Sequence, residues 1–214
     1  HMNAEKARRH IEPLLAPTAG ATKDTLIRSD TSLEKLSRLG PAFDRKSGSI
    51  TAGNASPFTD GAAALWVLSP ALEKDADGWL VDFEYVGVDP AIGLLMGPAK
   101  AMARLLERRG LRFSDIDYIE MHEAFAGQIL ANLKALNDSA LKKRLYGIDY
   151  DAGPLRPEDI NPWGSSLSYG HPFGATGARM LSQALQYLKV SGKKRGLIAF
   201  CTAGALGGAA LLER

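Results

Sequence analysis

The hydrophobic and polar positions are most regular in the second half of the chain. Trp79-Leu-Val-Asp-Phe-Glu-Tyr-Val-Gly-Val88 alternates with a period of two and predicts a strand. Pro98 to Arg109 places Met102, Leu105 and Leu106 at helical spacing, and Gly110 predicts the stop. Ile116 to Met121 predicts a short strand that runs directly into His122-Glu-Ala-Phe125, followed by a helix through about Leu136. A polar linker, Asn137 to Ile160, separates these from a Gly/Ser-rich turn opened by Asn161. A helix from Ala175 to about Lys189 follows. Two apolar strands close the chain, Arg195–Phe200 and Ala209–Leu212, with the loop Cys201–Gly208 between them. The order strand, helix, strand, helix, helix, strand, strand predicts an α/β fold with helices packed on a mixed β-sheet.

The first half is less regular. Ala4 to Leu15 predicts a basic helix interrupted by Pro13 and Pro17. Gly20 to Ser49 is polar and irregular, and reads as the tail of something begun earlier. From Ser49 to Ser56 the residues become small, and Thr59-Asp60-Gly61 precedes the apolar run Ala62–Leu68. Small residues there let a helix or strand approach its neighbours closely.

Composition narrows the function classes. At 214 residues the chain can bury a substantial core as one large domain or two small ones. A net charge of +2 favours neither nucleic acid nor a membrane surface as partner. The clusters Arg104, Arg108, Arg109 and Lys193, Lys194, Arg195 read as solvated helix ends or loops. The single cysteine, Cys201, excludes an internal disulfide framework and fits a reducing compartment. The four histidines have no cysteine partners at zinc spacing, so no metal site is expected. No apolar run approaches the roughly 18 residues of a transmembrane helix. The opening His1-Met2 resembles a cloning remnant, and no signal peptide follows it.

Three positions can carry chemistry, and each has a plainer alternative. His122 stands where a strand hands over to a helix, the usual ligand end of an α/β sheet, with Glu123 expected in the first helical turn. The two can equally be a capping residue and a dipole-compensating one. His171 sits in a glycine-rich approach to a helix N-terminus, where backbone N–H groups can hold an anion and an imidazole can move a proton. It can also be an exposed histidine in a plain turn. Cys201 ends an apolar strand beside flexible backbone, accessible to a ligand or buried as a structural cysteine. Together the two histidines and the cysteine form a plausible acid–base and nucleophile set.

The motifs around them resemble those of thiolases over essentially the whole chain. The matching residues are His122-Glu-Ala-Phe125, Gly170-His-Pro-Phe-Gly-Ala-Thr-Gly177 and Cys201-Thr-Ala-Gly204, in the family's order and spacing. Asn161-Pro-Trp-Gly164, Thr51-Ala-Gly-Asn-Ala-Ser56 and Thr59-Asp-Gly61 match as well. The His-Glu-Ala-Phe form is similar to the long-chain type, the β-subunit of trifunctional β-oxidation complexes. The resemblance implies cleavage of a 3-ketoacyl-CoA by CoA, or the reverse Claisen condensation. CoA and acyl-CoA would be substrates, with no permanently bound cofactor. It implies that His171 activates an acyl-carrying cysteine and contributes to an oxyanion hole. Cys201 would exchange the α-carbon proton, His122 would complete the oxyanion hole, and Glu123 would orient its neighbours. CoA contacts fall on Ser56, Ala124 and Phe125, and the N–H of Ala203 is an oxyanion-hole candidate. Ala203 and Pro57 both stand where many relatives carry glycine.

The resemblance also divides the chain. Residues 1–55 match the C-terminal part of the thiolase loop domain, 56–78 the last element of the N-terminal domain, and 79–214 the C-terminal domain. No residue here matches the acyl-carrying cysteine, so an N-terminal thiolase half is the expected partner, from the same gene or as a separate subunit. A homo- or hetero-oligomer is expected, and a hydratase–dehydrogenase subunit is a further partner by analogy. The expected location is bacterial cytoplasm or mitochondrial matrix. The alternative is a non-catalytic CoA-binding or structural subunit derived from a thiolase.

Overall fold

The computed structural model describes residues 1–12 and 24–214; Pro13, Pro17 and the start of the irregular stretch at Gly20 lie outside the described residues. Helix α1, Met2–Ile11, is the expected basic helix and buries Ala4, Ala7 and Ile11. Residues 24–69 are largely irregular, apart from the short helix α2, Leu33–Ser37, whose N-cap Ser32 accepts from the Lys35 N–H.

The organised part is a four-stranded sheet with β1 (Trp79–Gly87), β2 (Tyr118–Met121), β3 (Arg195–Thr202) and β4 (Leu206–Glu213). The spatial order is β1-β4-β3-β2. β4 runs antiparallel to both neighbours and β2 runs parallel to β3, so the sheet is mixed as expected. Helices lie on both faces. On one, α3 (Gly97–Arg109) and α4 (Ala126–Asn137) pack on Ile119, Met121, Leu197, Ala199 and Leu211. On the other, Met180, Ala184 and Leu188 of α7 (Thr176–Ser191) pack on Tyr118, Ile198 and Leu212. Each fully buried leucine here contributes about 1.5–3 kcal/mol relative to exposure.

Helix α3 forms where expected because Pro98 suits its first turn and Gly110, at φ 62°, closes it in the left-handed conformation. The Ala99 N–H, which has no partner inside the helix, donates to the Asn132 side chain at 2.9 Å. The polar linker contains an unexpected helix, α5 (Ser139–Tyr146), and a single helical turn beyond it, α6 (Ser166–Tyr169), precedes α7. Asp138 caps α5 by accepting from the Leu141 N–H at 2.9 Å, and Gly147 ends it at φ 70°.

One expectation about an apolar segment is corrected. The run Ala62–Leu68 forms no regular element, and Trp66 and Val67 are 92% and 97% exposed. In β1 the alternation forms the expected strand, and its acidic positions are the ones turned inward. Asp82 and Glu84 turn toward α3 and pair with Arg108, while Phe83 and Tyr85 face outward. Tyr85 packs edge-on against Phe200, so an aromatic row continues across the part of the sheet that α7 leaves open. Among the described residues no helix is long and apolar enough to cross a membrane.

Candidate active site

His122 follows β2 directly, and its N–H extends the parallel ladder by donating to Ala199 O at 2.8 Å. Cys201 lies two residues farther along β3, so the C-terminal ends of these parallel strands bring both to one edge of the sheet. Cys201 is thus the penultimate residue of β3 and pairs with Gly207, rather than opening a long loop; the turn shrinks to Ala203-Gly204-Ala205. Gly204 and Ala205 turn at φ 85° and 59°, and Ala203 sits exposed at the tip.

His171 reaches the same place from the other side. Gly170 adopts φ 81°, and a side chain there would meet Thr59 at 2.4 Å, so only glycine makes the turn. The His171 N–H donates to Pro57 O at 3.1 Å, and Nδ1 meets Thr176 Oγ1 at 2.7 Å at the start of α7. The two imidazoles end ring to ring, with centroids 4.2 Å apart.

The segment 54–58 ties the two motifs together. Ser56 N–H donates to Ala124 O at 2.9 Å, Ala126 N–H donates to Asn54 O at 2.9 Å, and Phe58 bridges to His171. Ser56, Ala124 and Phe125 therefore form one half-buried strip beside the histidines, with the Phe125 ring edge-on to Phe43 at 6.2 Å.

Glu123 does not occupy the first turn of α4, which begins only at Ala126. Its carboxylate turns instead to Asn161 Nδ2 at 2.7 Å and the Leu167 N–H at 3.1 Å. Asn161, at φ 52°, also clasps the Met121 N–H and C=O, so one side chain joins the end of β2 to the loop that leads to His171. Glu123 thus bonds to the loop that leads to His171, and burial pushes its carboxyl up from the usual range despite those two donors.

Beneath His122 lies a buried polar network that sequence reasoning missed. Glu120, fully buried on the α7 side of β2, accepts from Tyr118 Oη at 2.6 Å, Ser165 Oγ at 2.8 Å, Gln183 Nε2 at 3.2 Å and the Arg179 guanidinium. Four donors saturate a carboxylate, which is what a buried charge requires. Arg179 also donates to Ser166 Oγ at 3.3 Å, and Ser166 Oγ meets His122 Nδ1 at 2.6 Å. A usable signal was present: an acid in an otherwise apolar strand, and an arginine on the helix that covers it.

Burial sets the protonation states. His122 is driven down to about 3, first by desolvation and then by the charges of His171 and Arg179. His171 is lowered by burial and then by Arg179. Both rings are therefore neutral near pH 7. Desolvation pushes the Cys201 thiol up to about 11, so it holds its proton there. The site thus offers two neutral imidazoles and one S–H, suited to donating hydrogen bonds and exchanging a proton.

Comparison with known proteins gives a consistent result. The family model for the thiolase C-terminal domain matches residues 75–214, and that for the thiolase N-terminal domain matches 3–71. A 3-ketoacyl-CoA thiolase of Yersinia enterocolitica is 41% identical over 196 residues, covering 90% of this chain and 45% of the relative. One from Alteromonas mediterranea is 40% identical, covering 91% and 46%. The acetyl-CoA acetyltransferase of Bacillus anthracis superposes with a TM-score of 0.79 at 33% identity, covering all of this chain and 53% of that one. Human mitochondrial 3-ketoacyl-CoA thiolase in complex with CoA gives 0.78 at 27% identity, covering 99% and 51%. The chain spans about half the length of the relatives it matches.

Proposed function

The chain belongs to the thiolase family, and we propose that it supplies the proton-handling half of a 3-ketoacyl-CoA thiolase site. The observation that carries this reading is the meeting of His122 and His171 ring to ring at the strand ends where Cys201 lies. In the proposed reaction a cysteine from a second thiolase half attacks the C3 carbonyl of the substrate, and His171 takes its thiol proton. The C2–C3 bond breaks, its electron pair leaving as the enolate of acetyl-CoA. His122 and His171 donate to the enolate oxygen, and Cys201 gives its S–H proton to C2. The CoA thiol then gives its proton to the Cys201 thiolate and attacks the acyl-cysteine; the shortened acyl-CoA departs, and the nucleophilic cysteine leaves as a thiol by taking its proton back from His171. A thiol that stays protonated at neutral pH is in the right state to act as the acid in this direction.

Ser56, Ala124 and Phe125 are proposed to border the pantetheine arm, with the Ala203 N–H as a further oxyanion donor. The His-Glu-Ala-Phe motif supports the long-chain β-oxidation type, and with it an oligomer alongside a hydratase–dehydrogenase subunit. The uncovered aromatic row of Phe83, Tyr85 and Phe200 supports packing against an N-terminal half.

The test is Cys201→Ala in the chain paired with a nucleophile-bearing thiolase half. CoA affinity should be unchanged within twofold, while turnover falls by at least about 100-fold, as expected for loss of an acid–base group. Unchanged turnover would instead favour a CoA-binding or structural subunit.

A further inference from the structure

We infer that Arg179 and Ser166, anchored by Glu120, act as positioning residues that lock His122 as the Nε2–H tautomer. The number of hydrogens on Ser166 fixes the tautomer. A guanidinium donates and never accepts, so the 3.3 Å contact from Arg179 makes Ser166 Oγ an acceptor on that side. The hydroxyl then has a single hydrogen left to place. Ser166 is fully buried, and among the described contacts of its Oγ the one remaining acceptor is His122 Nδ1 at 2.6 Å. If Nδ1 carried the proton instead, Ser166 would accept twice and its own hydrogen would have no protein partner among the described contacts, although the residue is fully buried. Nδ1 is therefore the acceptor, and the ring proton resides on Nε2, the nitrogen turned away from Ser166.

Glu120 makes the arrangement rigid. Its carboxylate holds the guanidinium and the Ser165 hydroxyl, and it is itself held by Tyr118 and Gln183. The ion pair thereby reaches the site through one hydroxyl without touching it. Burial first, with the charge of Arg179 added to it, opposes protonation of both histidines and keeps His122 a neutral donor. The value of an Nε2–H donor for catalysis rests on the acyl-transfer reading; the tautomer itself does not.

The experiment is long-range nitrogen–proton correlation spectroscopy of the full chain labelled at its histidines, with His122 assigned from its loss in His122→Asn. The unaltered chain should show a protonated, pyrrole-type Nε2 and an unprotonated, pyridine-type Nδ1 between pH 6 and 8. In Ser166→Ala the Nδ1 resonance should shift to an intermediate position as both tautomers populate, with the backbone spectrum unchanged, and Ser166→Thr should restore it. Arg179→Met should give the same mixture; if it fails to fold, the Ser166 pair decides. A dominant Nδ1–H form in the unaltered chain, or an unmoved tautomer in Ser166→Ala, overturns the inference. Either result leaves the acyl-transfer reading to its own test. A correct tautomer in a site that never supports turnover would sink that reading alone.

Discussion

Cys201 shows how much the surroundings decide about a residue. As a residue type it is an ordinary thiol, but at the end of β3 burial holds its proton up to about pH 11. Because the folded value lies above that of the unfolded chain, the stabilisation from this group is fully present below about pH 9. It is lost as pH rises toward 11, and Cys201→Ala should remove that part of the alkaline decline. The same shift predicts slow alkylation. The rate with iodoacetamide should keep rising past pH 9 and, at pH 7.5, lie on the order of 100-fold below that of a free thiol. A rate that levels off near pH 9 would contradict it. His122, His171 and Cys201 were legible in the sequence because their motifs are contiguous. Ser166 and Arg179 were not, because their role exists only once α7 lies across β2. The expected place of Glu123 in the first helical turn failed for a similar reason: its partner Asn161 is 38 residues away.

At the level of elements, local signals and tertiary contacts divide the credit. Helix α3 and its glycine stop were readable from spacing alone, and so were β2, α4 and α7. Helix α5 was hidden in a polar stretch, although Asp138, Leu141, Leu145 and Gly147 supply a cap, a helical stripe and a stop. β4 was read too short because Gly207 and Gly208 look like loop residues. In the structure they are small because something lies against them. A side chain on Gly207 would meet the Gly97 backbone at 2.3 Å, where α3 starts across β4. Gly207→Ala should therefore destabilise the protein by on the order of 1–3 kcal/mol, read as a lower urea midpoint. It should also disturb Cys201, its partner across the hairpin. Gly127, in α4 with nothing within 4 Å of its missing Cβ, is the control. Gly127→Ala should stabilise by about 0.5–1 kcal/mol. Equal effects at both positions would rule out the close-approach explanation.

For the molecule as a whole, the sheet is covered on one face by α3 and α4 but only partly on the other by α7. Phe83 and Tyr85 on β1 and the run Ala62–Leu68 remain outside. Alternation predicted β1 as a strand but not what it faces, since an alternating pattern does not say which side is covered. The proposed account makes these surfaces the seat of a second half that carries the acyl-accepting cysteine. The most direct measurement is consumption of a 3-ketoacyl-CoA in the presence of CoA, by the purified chain alone and after pairing with a nucleophile-bearing thiolase half. The account predicts no turnover alone, and turnover on pairing that His171→Ala abolishes. Sustained thiolysis by the chain alone would contradict it.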